Sequence, residues 1–248
     1  MRKNILITGA SSGLGEGMAR QFAAAGRNLA LCARRIDKLE ELRTELEAAH
    51  GVKVAVRKLD VNDHLQVFET FDELHDELGS IDRVVVNAGV NRGQSVGSGH
   101  FEENRQTLTT NFVSALAQAE AAVRMFRSQG SGHLVIISSL GGVRAMPGKL
   151  TAYNASKAGL SSLGDGIRYD LLDTAIKVTT LKPGYMESEL NDEHGLKRPY
   201  VTGASAGAKS LFKAIESEKA KGYVPFFPWA PLSLAIRAMP GKRMKKLM

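Results

Sequence analysis

The stretch Asn4-Ile5-Leu6-Ile7-Thr8-Gly9-Ala10-Ser11-Ser12-Gly13-Leu14-Gly15 decides the fold. Its first five residues form a mostly apolar run with the length of a buried strand, and that run breaks abruptly into glycine and serine. Glycine permits a tight turn and lets a pyrophosphate approach the backbone, while the unpaired amides at the start of the following helix face the anion. Gly9, Ser11, Ser12, Gly13, Leu14 and Gly15 are therefore candidate cofactor-binding residues. Three residues separate the first two glycines, so the spacing departs from the widespread dinucleotide fingerprint. Taken alone, such a turn is also compatible with a purely structural role.

Working outward, strand-like runs at 28–33, 52–57, 83–87, 132–139, 177–182 and 222–224 alternate with segments of helical period. Those segments start near Leu14, Ile36, Asp63, Glu103, Ala152 and Ala204. The alternation predicts an α/β fold, a Rossmann-like doubly wound parallel sheet of about seven strands covered by helices on both faces. No repeat, linker or low-complexity tract divides the chain, so residues 1–248 are expected to form a single domain. Within it, residues 186–201 lack periodicity and read as a substrate lid, and residues 223–248 as an apolar and basic C-terminal extension. Residues 91–100, with three glycines and two serines, read as a surface connection.

Apolar content of 43% and charged content of 24% suit an ordinary globular chain rather than a disordered or fibrous one. Cys32 is the only cysteine, which excludes an internal disulfide and a multi-cysteine metal site. No metal is expected, and with no leading basic and apolar segment a cytoplasmic location fits. The formal charge is +7, but seven basic residues and no acidic one follow Glu218, which accounts for the whole excess. The body of the chain is neutral, and no nucleic-acid partner is expected. Phe226, Phe227 and Trp229 in the tail suggest a pocket roof or a subunit contact; the alternative is peripheral contact with an acidic membrane surface. The run is too short and too proline-rich to span a bilayer.

Tyr153 and Lys157 are four residues apart in a helical segment, which puts both side chains on one face. A phenol with a free pKa of ~10 is a poor proton donor and acceptor at neutral pH, and a neighbouring ammonium lowers that value. Ser139 is expected to end the fifth strand, at the carboxyl edge where open sheets bind ligands, while Ser138 would point to the opposite face. Where NAD-preferring folds usually carry a carboxylate after the second strand, this chain has Arg34 and Arg35. A guanidinium can pair with a 2′-phosphate, favouring NADP(H) over NAD(H) by ~1–3 kcal/mol. The blander alternative is a solvated helix entrance. Asp60 and Val61, at the end of the third strand, are placed to cap and pack against an adenine.

The ordered set of Thr8-Gly9 with Gly13 and Gly15, Asn87-Ala88-Gly89, Asn111, Ser139, Tyr153 with Lys157, and Pro183-Gly184 resembles the classical short-chain dehydrogenases/reductases over nearly the whole chain. The resemblance implies that Tyr153 is the general acid/base, that Lys157 holds the nicotinamide ribose and lowers the Tyr153 pKa, and that Ser139 orients the carbonyl. It implies further that Asn111 anchors a proton-relay water. Asn87, Ala88, Gly89, Pro183, Gly184, Met186 and Ser188 would lie along the cofactor, Ser188 standing where many members have threonine. Val86 departs from the family, which often has a first asparagine there. Small residues along 155–166 and the family habit imply a homodimer or homotetramer. The expected activity is hydride transfer between NADP(H) and an apolar carbonyl or secondary alcohol; the alternative is a nucleotide-sensing protein without turnover.

Overall fold

The computed structural model describes residues 2–187 and 200–246. Seven strands, β1 (Asn4–Thr8), β2 (Asn28–Ala33), β3 (Val54–Lys58), β4 (Arg83–Val86), β5 (Gly132–Ile137), β6 (Ile176–Pro183) and β7 (Lys221–Val224), form one sheet in the order β3-β2-β1-β4-β5-β6-β7. Every pairing is parallel. The crossovers carry α1 (Gly13–Ala24), α2 (Ile36–His50), α3 (His64–Leu78), α4 (Phe101–Leu108), α5 (Ser114–Gln129), α6 (Thr151–Asp170) and α7 (Ala204–Glu216), and the tail carries α8 (Phe226–Ala238) and α9 (Gly241–Lys246). The chain winds from β1 out to β3 and then returns to β4 on the other side of β1. That reversal leaves a crevice between the carboxyl ends of β1 and β4.

Because side chains alternate across a strand, β1 serves both faces with one short run. Ile5 and Ile7 pack with Met18, Phe22, Leu39 and Leu211 on one side of the sheet, and Leu6 with Phe71, Phe126 and Leu160 on the other. These side chains are essentially inaccessible to solvent, and truncating one to alanine costs about 2–5 kcal/mol. Cys32 belongs to the second layer, where burial pushes its thiol up to about 12. It acts as a small apolar residue.

At the amino edge of the sheet, away from the crevice, Arg83 is buried and its Nε donates to His133 Nδ1 at 2.8 Å. Its guanidinium also pairs with Glu216 and, at 3.2 Å, with Glu218. Since Nδ1 accepts, the ring proton sits on Nε2 and is given to Thr179 Oγ1 at 2.8 Å. Burial first, and then the Arg83 charge, holds the imidazole down at about 3, so it is neutral. A buried guanidinium is tolerated only when paired, and here the pairing fastens the end of α7 to the middle of the sheet.

Three local expectations are corrected. β5 ends at Ile137, so Ser139 does not end the strand but caps a 3-10 turn at Leu140–Gly142. The helix expected from Glu103 is divided by a π turn at Thr109–Val113. The tail, read from its prolines as only an apolar run, is helical. Phe227 interrupts the helix, and Pro228 takes the first position after that break, where a missing N–H has no intrahelical partner to lose, while Pro231 falls inside the helix near its start.

Candidate active site

The carboxyl ends of the central strands open on a cleft of about 420 Å³. At its floor is the β1–α1 turn. Gly9 has φ +64°, and a Cβ there would stand 2.9 Å from Ala88 Cα, so the turn lies flat against the segment after β4. Thr8 Oγ1 accepts from Asn87 N at 3.0 Å and Ala88 N at 3.1 Å, while Asn87 Nδ2 donates to Thr8 O at 2.9 Å. Gly15 faces away from the cleft; a Cβ on it would stand 2.2 Å from Gly9 O, so its bareness lets α1 seat on the turn. Ser12 precedes α1 with no side-chain capping bond, which leaves the first-turn amides for an anion.

Beyond β2, Arg34 and Arg35 both line the cleft. Arg35 is tied to the turn, Nε donating to Ser11 Oγ at 3.2 Å and Nη2 to Ser11 O at 3.3 Å. No described carboxylate pairs with Arg34. Asp60 and Val61 line the same end, Asp60 Oδ1 accepting from both nitrogens of Asn62 at 3.0 Å. The acid that caps α3 is Asp63, which accepts from Gln66 N at 3.1 Å.

On the other side, α6 presents Tyr153 and Lys157 to the cleft, with Lys157 Nζ 5.8 Å from the Tyr153 ring centroid. Nζ donates to Ile137 O at 2.9 Å, and burial pushes the ammonium down to about 8. Both serines line the cleft, beyond the end of β5, so strand alternation does not separate them as expected. Their hydroxyls take different partners: Ser138 Oγ donates to Lys157 O at 2.7 Å and fastens the turn to α6, whereas Ser139 Oγ accepts from Gly141 N at 3.1 Å. The Ser139 hydroxyl proton is thus available to a substrate oxygen. Gly142 lets the two segments touch, since a Cβ there would stand 2.6 Å from Lys157 O.

Asn111 sits in the π turn, fully buried and off the cleft surface. Its Oδ1 accepts from Val90 N at 2.7 Å, and its Nδ2 donates to Val90 O at 2.8 Å and Ser156 Oγ at 3.2 Å. The widened turn aims this amide across at the segment after β4. Met146, Leu150, Tyr185 and Met186 form an apolar wall beside Tyr153. The tail supports that wall: Met244 clusters with Met146 and Leu150, Arg144 Nη1 donates to Arg237 O, and the Tyr185 ring meets Trp229 edge-on at 5.4 Å. The three tail aromatics part ways, because Trp229 is buried while Phe226 and Phe227 are exposed.

Of the candidate catalytic and cofactor-binding residues, all but Gly15, Asn111 and Ser188 line this cleft, and none of the tail aromatics Phe226, Phe227 and Trp229 does; Ser188 and most of the expected lid at 186–201 lie outside the described residues. Sequence reasoning missed the bracing hydroxyls of Ser138 and Ser156. Both stand next to motif residues, but their partners are distant in the chain.

A parallel sheet with a crevice at its reversal, an uncapped helix start at that crevice, and a Tyr–Lys pair facing a serine across it define a dinucleotide-dependent oxidoreductase. The family model described as short chain dehydrogenase matches residues 3–199. The chain belongs to the short-chain dehydrogenase/reductase family. It is 51% identical over 246 residues to an uncharacterized oxidoreductase of Mycobacterium tuberculosis, covering 99% of this chain and 97% of that protein. It is 32% identical over 191 residues to an NADP-dependent 3-hydroxy acid dehydrogenase of Schizosaccharomyces pombe, covering 76% and 73%. Among solved structures, it is similar to an alcohol dehydrogenase of Thermococcus sibiricus complexed with 5-hydroxy-NADP (TM-score 0.81, 24% identity, 90% and 95% covered). It is similar also to a family member of Burkholderia phymatum in complex with NAD (TM-score 0.84, 21% identity, 99% and 95% covered). Among the described residues, no helix is long and apolar enough to cross a membrane.

Proposed function

We propose that the protein transfers a hydride between NADP(H) and a small carbonyl compound or secondary alcohol with an apolar body. The observation that carries this reading is the convergence of Ser139, Tyr153 and Lys157 on the cleft that also holds the phosphate turn. The residues fit a dinucleotide: the Gly9 turn has no room for a side chain, α1 begins uncapped, and Arg34 pairs with no carboxylate among the described residues. Gly9 to Leu14 would hold the pyrophosphate, Arg34 beside Arg35 the 2′-phosphate, and Asp60 with Val61 the adenine. Asn87 to Gly89 and Lys157 would hold the nicotinamide ribose, and Pro183, Gly184, Met186 and Ser188 the nicotinamide.

When bound, the cofactor supplies or receives the hydride. Tyr153 Oη gives a proton to the carbonyl oxygen during reduction and takes it back during oxidation. Lys157 favours the phenolate by its charge, and Ser139 Oγ donates to the same substrate oxygen. Asn111 fixes both main-chain groups of Val90, a residue of the cleft wall, and is proposed to anchor the proton relay. The preference for NADP(H) rests on Arg34, since the structural likenesses include complexes with an NADP derivative and with NAD. A homodimer or homotetramer is proposed through the exposed small residues Ala155, Ala158, Ser162 and Gly166 of α6, and a cytoplasmic location is retained as a proposal.

The test is calorimetric titration with NADPH and with NADH, followed by a carbonyl panel monitored by loss of reduced-cofactor absorbance. Tight NADPH binding with turnover supports the reading. Binding without turnover of any carbonyl would favour a nucleotide sensor.

A further inference from the structure

We propose that Arg92 is a specificity-determining residue that binds a substrate carboxylate, so that the enzyme acts on oxo acids and the corresponding hydroxy acids. The inference rests on the oxidoreductase reading above. It begins from a charge imbalance: the described lining of the cleft carries four cationic side chains, Arg34, Arg35, Lys157 and Arg92, against one carboxylate, Asp60. Arg34 and Arg35 stand at the end of β2, and Lys157 is buried next to Tyr153. Arg92 follows β4, and β1 lies between those two strands. Two interstrand spacings put about 10 Å between the ends of β2 and β4. Arg92 thus leaves the sheet from a different strand than Arg34.

Most arginines of this chain are neutralised; Arg20, Arg57, Arg83, Arg105 and Arg124 each pair with a carboxylate. Arg92 has no such partner among the described residues, although its side chain is exposed and lines the cleft. A solvated surface arginine would look the same in isolation, but its backbone is held from several sides. Arg92 N donates to Thr107 Oγ1 at 3.3 Å, Gln94 N donates to Asn104 Oδ1 at 2.9 Å, and Val90 is gripped at both main-chain groups by Asn111. Gly93 is pressed onto the 3-10 turn Gly148–Leu150 that leads into α6, where a Cβ would stand 2.6 Å from Lys149 O. Residues 95–100, by contrast, are exposed throughout. The segment that carries Arg92 is thus a rigid ledge between α4 and the helix of Tyr153.

Gln106 of α4, one residue before the anchoring Thr107, lines the same cleft and adds an amide donor. A guanidinium fork matches the two oxygens of a carboxylate, and the Gln106 amide is a further donor on the same lining. Met146, Leu150 and Tyr185 make the cleft wall beside Tyr153 apolar. One cation at the rim of an apolar pocket selects a carbonyl compound with an apolar stem and a terminal carboxylate. An exposed pair gains little in water, but a bound substrate stem excludes water from the fork and raises its worth.

The experiment compares straight-chain oxo acids with their methyl esters in NADPH-coupled reduction, using the full-length protein and its Arg92→Ala and Arg92→Lys variants. The expected result is a wild-type preference for the acids in kcat/KM and a roughly ten-fold or larger loss for the acids in Arg92→Ala, carried mainly by KM. The esters should be nearly unaffected, and Arg92→Lys should fall between. Equal losses for acid and ester, or a wild-type preference for esters, would overturn the proposal. Binding of butyrate, hexanoate and decanoate to the protein with NADP⁺, followed by calorimetry, separates this idea from the reading beneath it. Arg92-dependent binding of these acids, with no turnover of any oxo acid or ester, sustains the anion site and removes the oxidoreductase reading; binding indifferent to Arg92→Ala removes the anion site and leaves that reading intact.

Discussion

The indole of Trp229 lies against the main chain of Gly184: a Cβ at residue 184 would stand 2.1 Å from Trp229 Cε2. The C-terminal α8 thereby supports the turn after β6, and through the Tyr185 ring it supports the apolar wall of the cleft. Of the tail aromatics that the sequence offered as a pocket roof or subunit contact, Trp229 is part of the site's scaffold.

Trp229→Ala is expected to cost about 3–5 kcal/mol, because it empties a fully buried volume. Among the described residues the buried Trp229 Nε1 has no hydrogen-bond partner, so Trp229→Phe loses ring area and is expected to cost about 1–2 kcal/mol. Urea unfolding of the two variants checks the ranking. An alanine variant as stable as the phenylalanine one would show that the indole does not hold the turn.

Tyr153→Phe removes only the phenolic oxygen from the cleft. Turnover should fall by several orders of magnitude while NADPH affinity changes little, as read by initial rates and calorimetry on the same preparation. Near-normal turnover would refute the acid/base role.

Arg34→Ala should weaken NADPH binding by about 1–3 kcal/mol, the scale of a charge-assisted contact, and leave NADH binding almost unchanged. Arg35 is bound to Ser11 at the phosphate turn, so Arg35→Ala should weaken both cofactors. Equal losses for both cofactors in Arg34→Ala would sink the 2′-phosphate assignment.

Lys157 makes stability depend on pH with a definite sign. Burial lowers its pKa from 10.5 to about 8 in the cofactor-free fold. Between those values the unfolded chain holds a proton that the folded chain has lost, so this group's contribution to stability rises with pH across that window. It destabilises most below pH 8. Lys157→Met should therefore gain stability relative to wild type at pH 7 and lose that advantage by pH 10, a swing on the order of 3 kcal/mol. The lost bond to Ile137 O offsets part of the gain at both pH values. Urea midpoints at the two pH values measure the swing; a difference independent of pH would mean that the ammonium is not desolvated.

Much of the fold was legible because its signals are local. The run Asn4–Thr8 is apolar on both of its faces, and only a strand covered on both sides tolerates that composition. Tyr153 and Lys157 are neighbours by helical geometry alone, so four residues of spacing sufficed to put them on one face. The failures are equally particular. Ser139 was placed on a strand that stops two residues earlier, at Ile137, because the 3-10 turn that follows depends on Gly142 meeting Lys157 O across the site. The helix after Glu103 gave no sign of its π turn, since the extra residue is stabilised by Asn111 bonding to Val90, 21 positions away.

The sequence by itself determined the parallel sheet and put forward the Gly9 turn and the Ser139–Tyr153–Lys157 set as candidates, through period, glycine spacing and residue type, which act over a few neighbours. Only the tertiary structure decided that Trp229 belongs to the site's scaffold, that Arg34 has no carboxylate partner among the described residues while Arg35 is bound to the turn, and that Arg92 is held on a ledge at the cleft. Each of those depends on which distant groups meet when the sheet closes its order. Pairing, burial and desolvation belong to that meeting, and no window of the chain contains them.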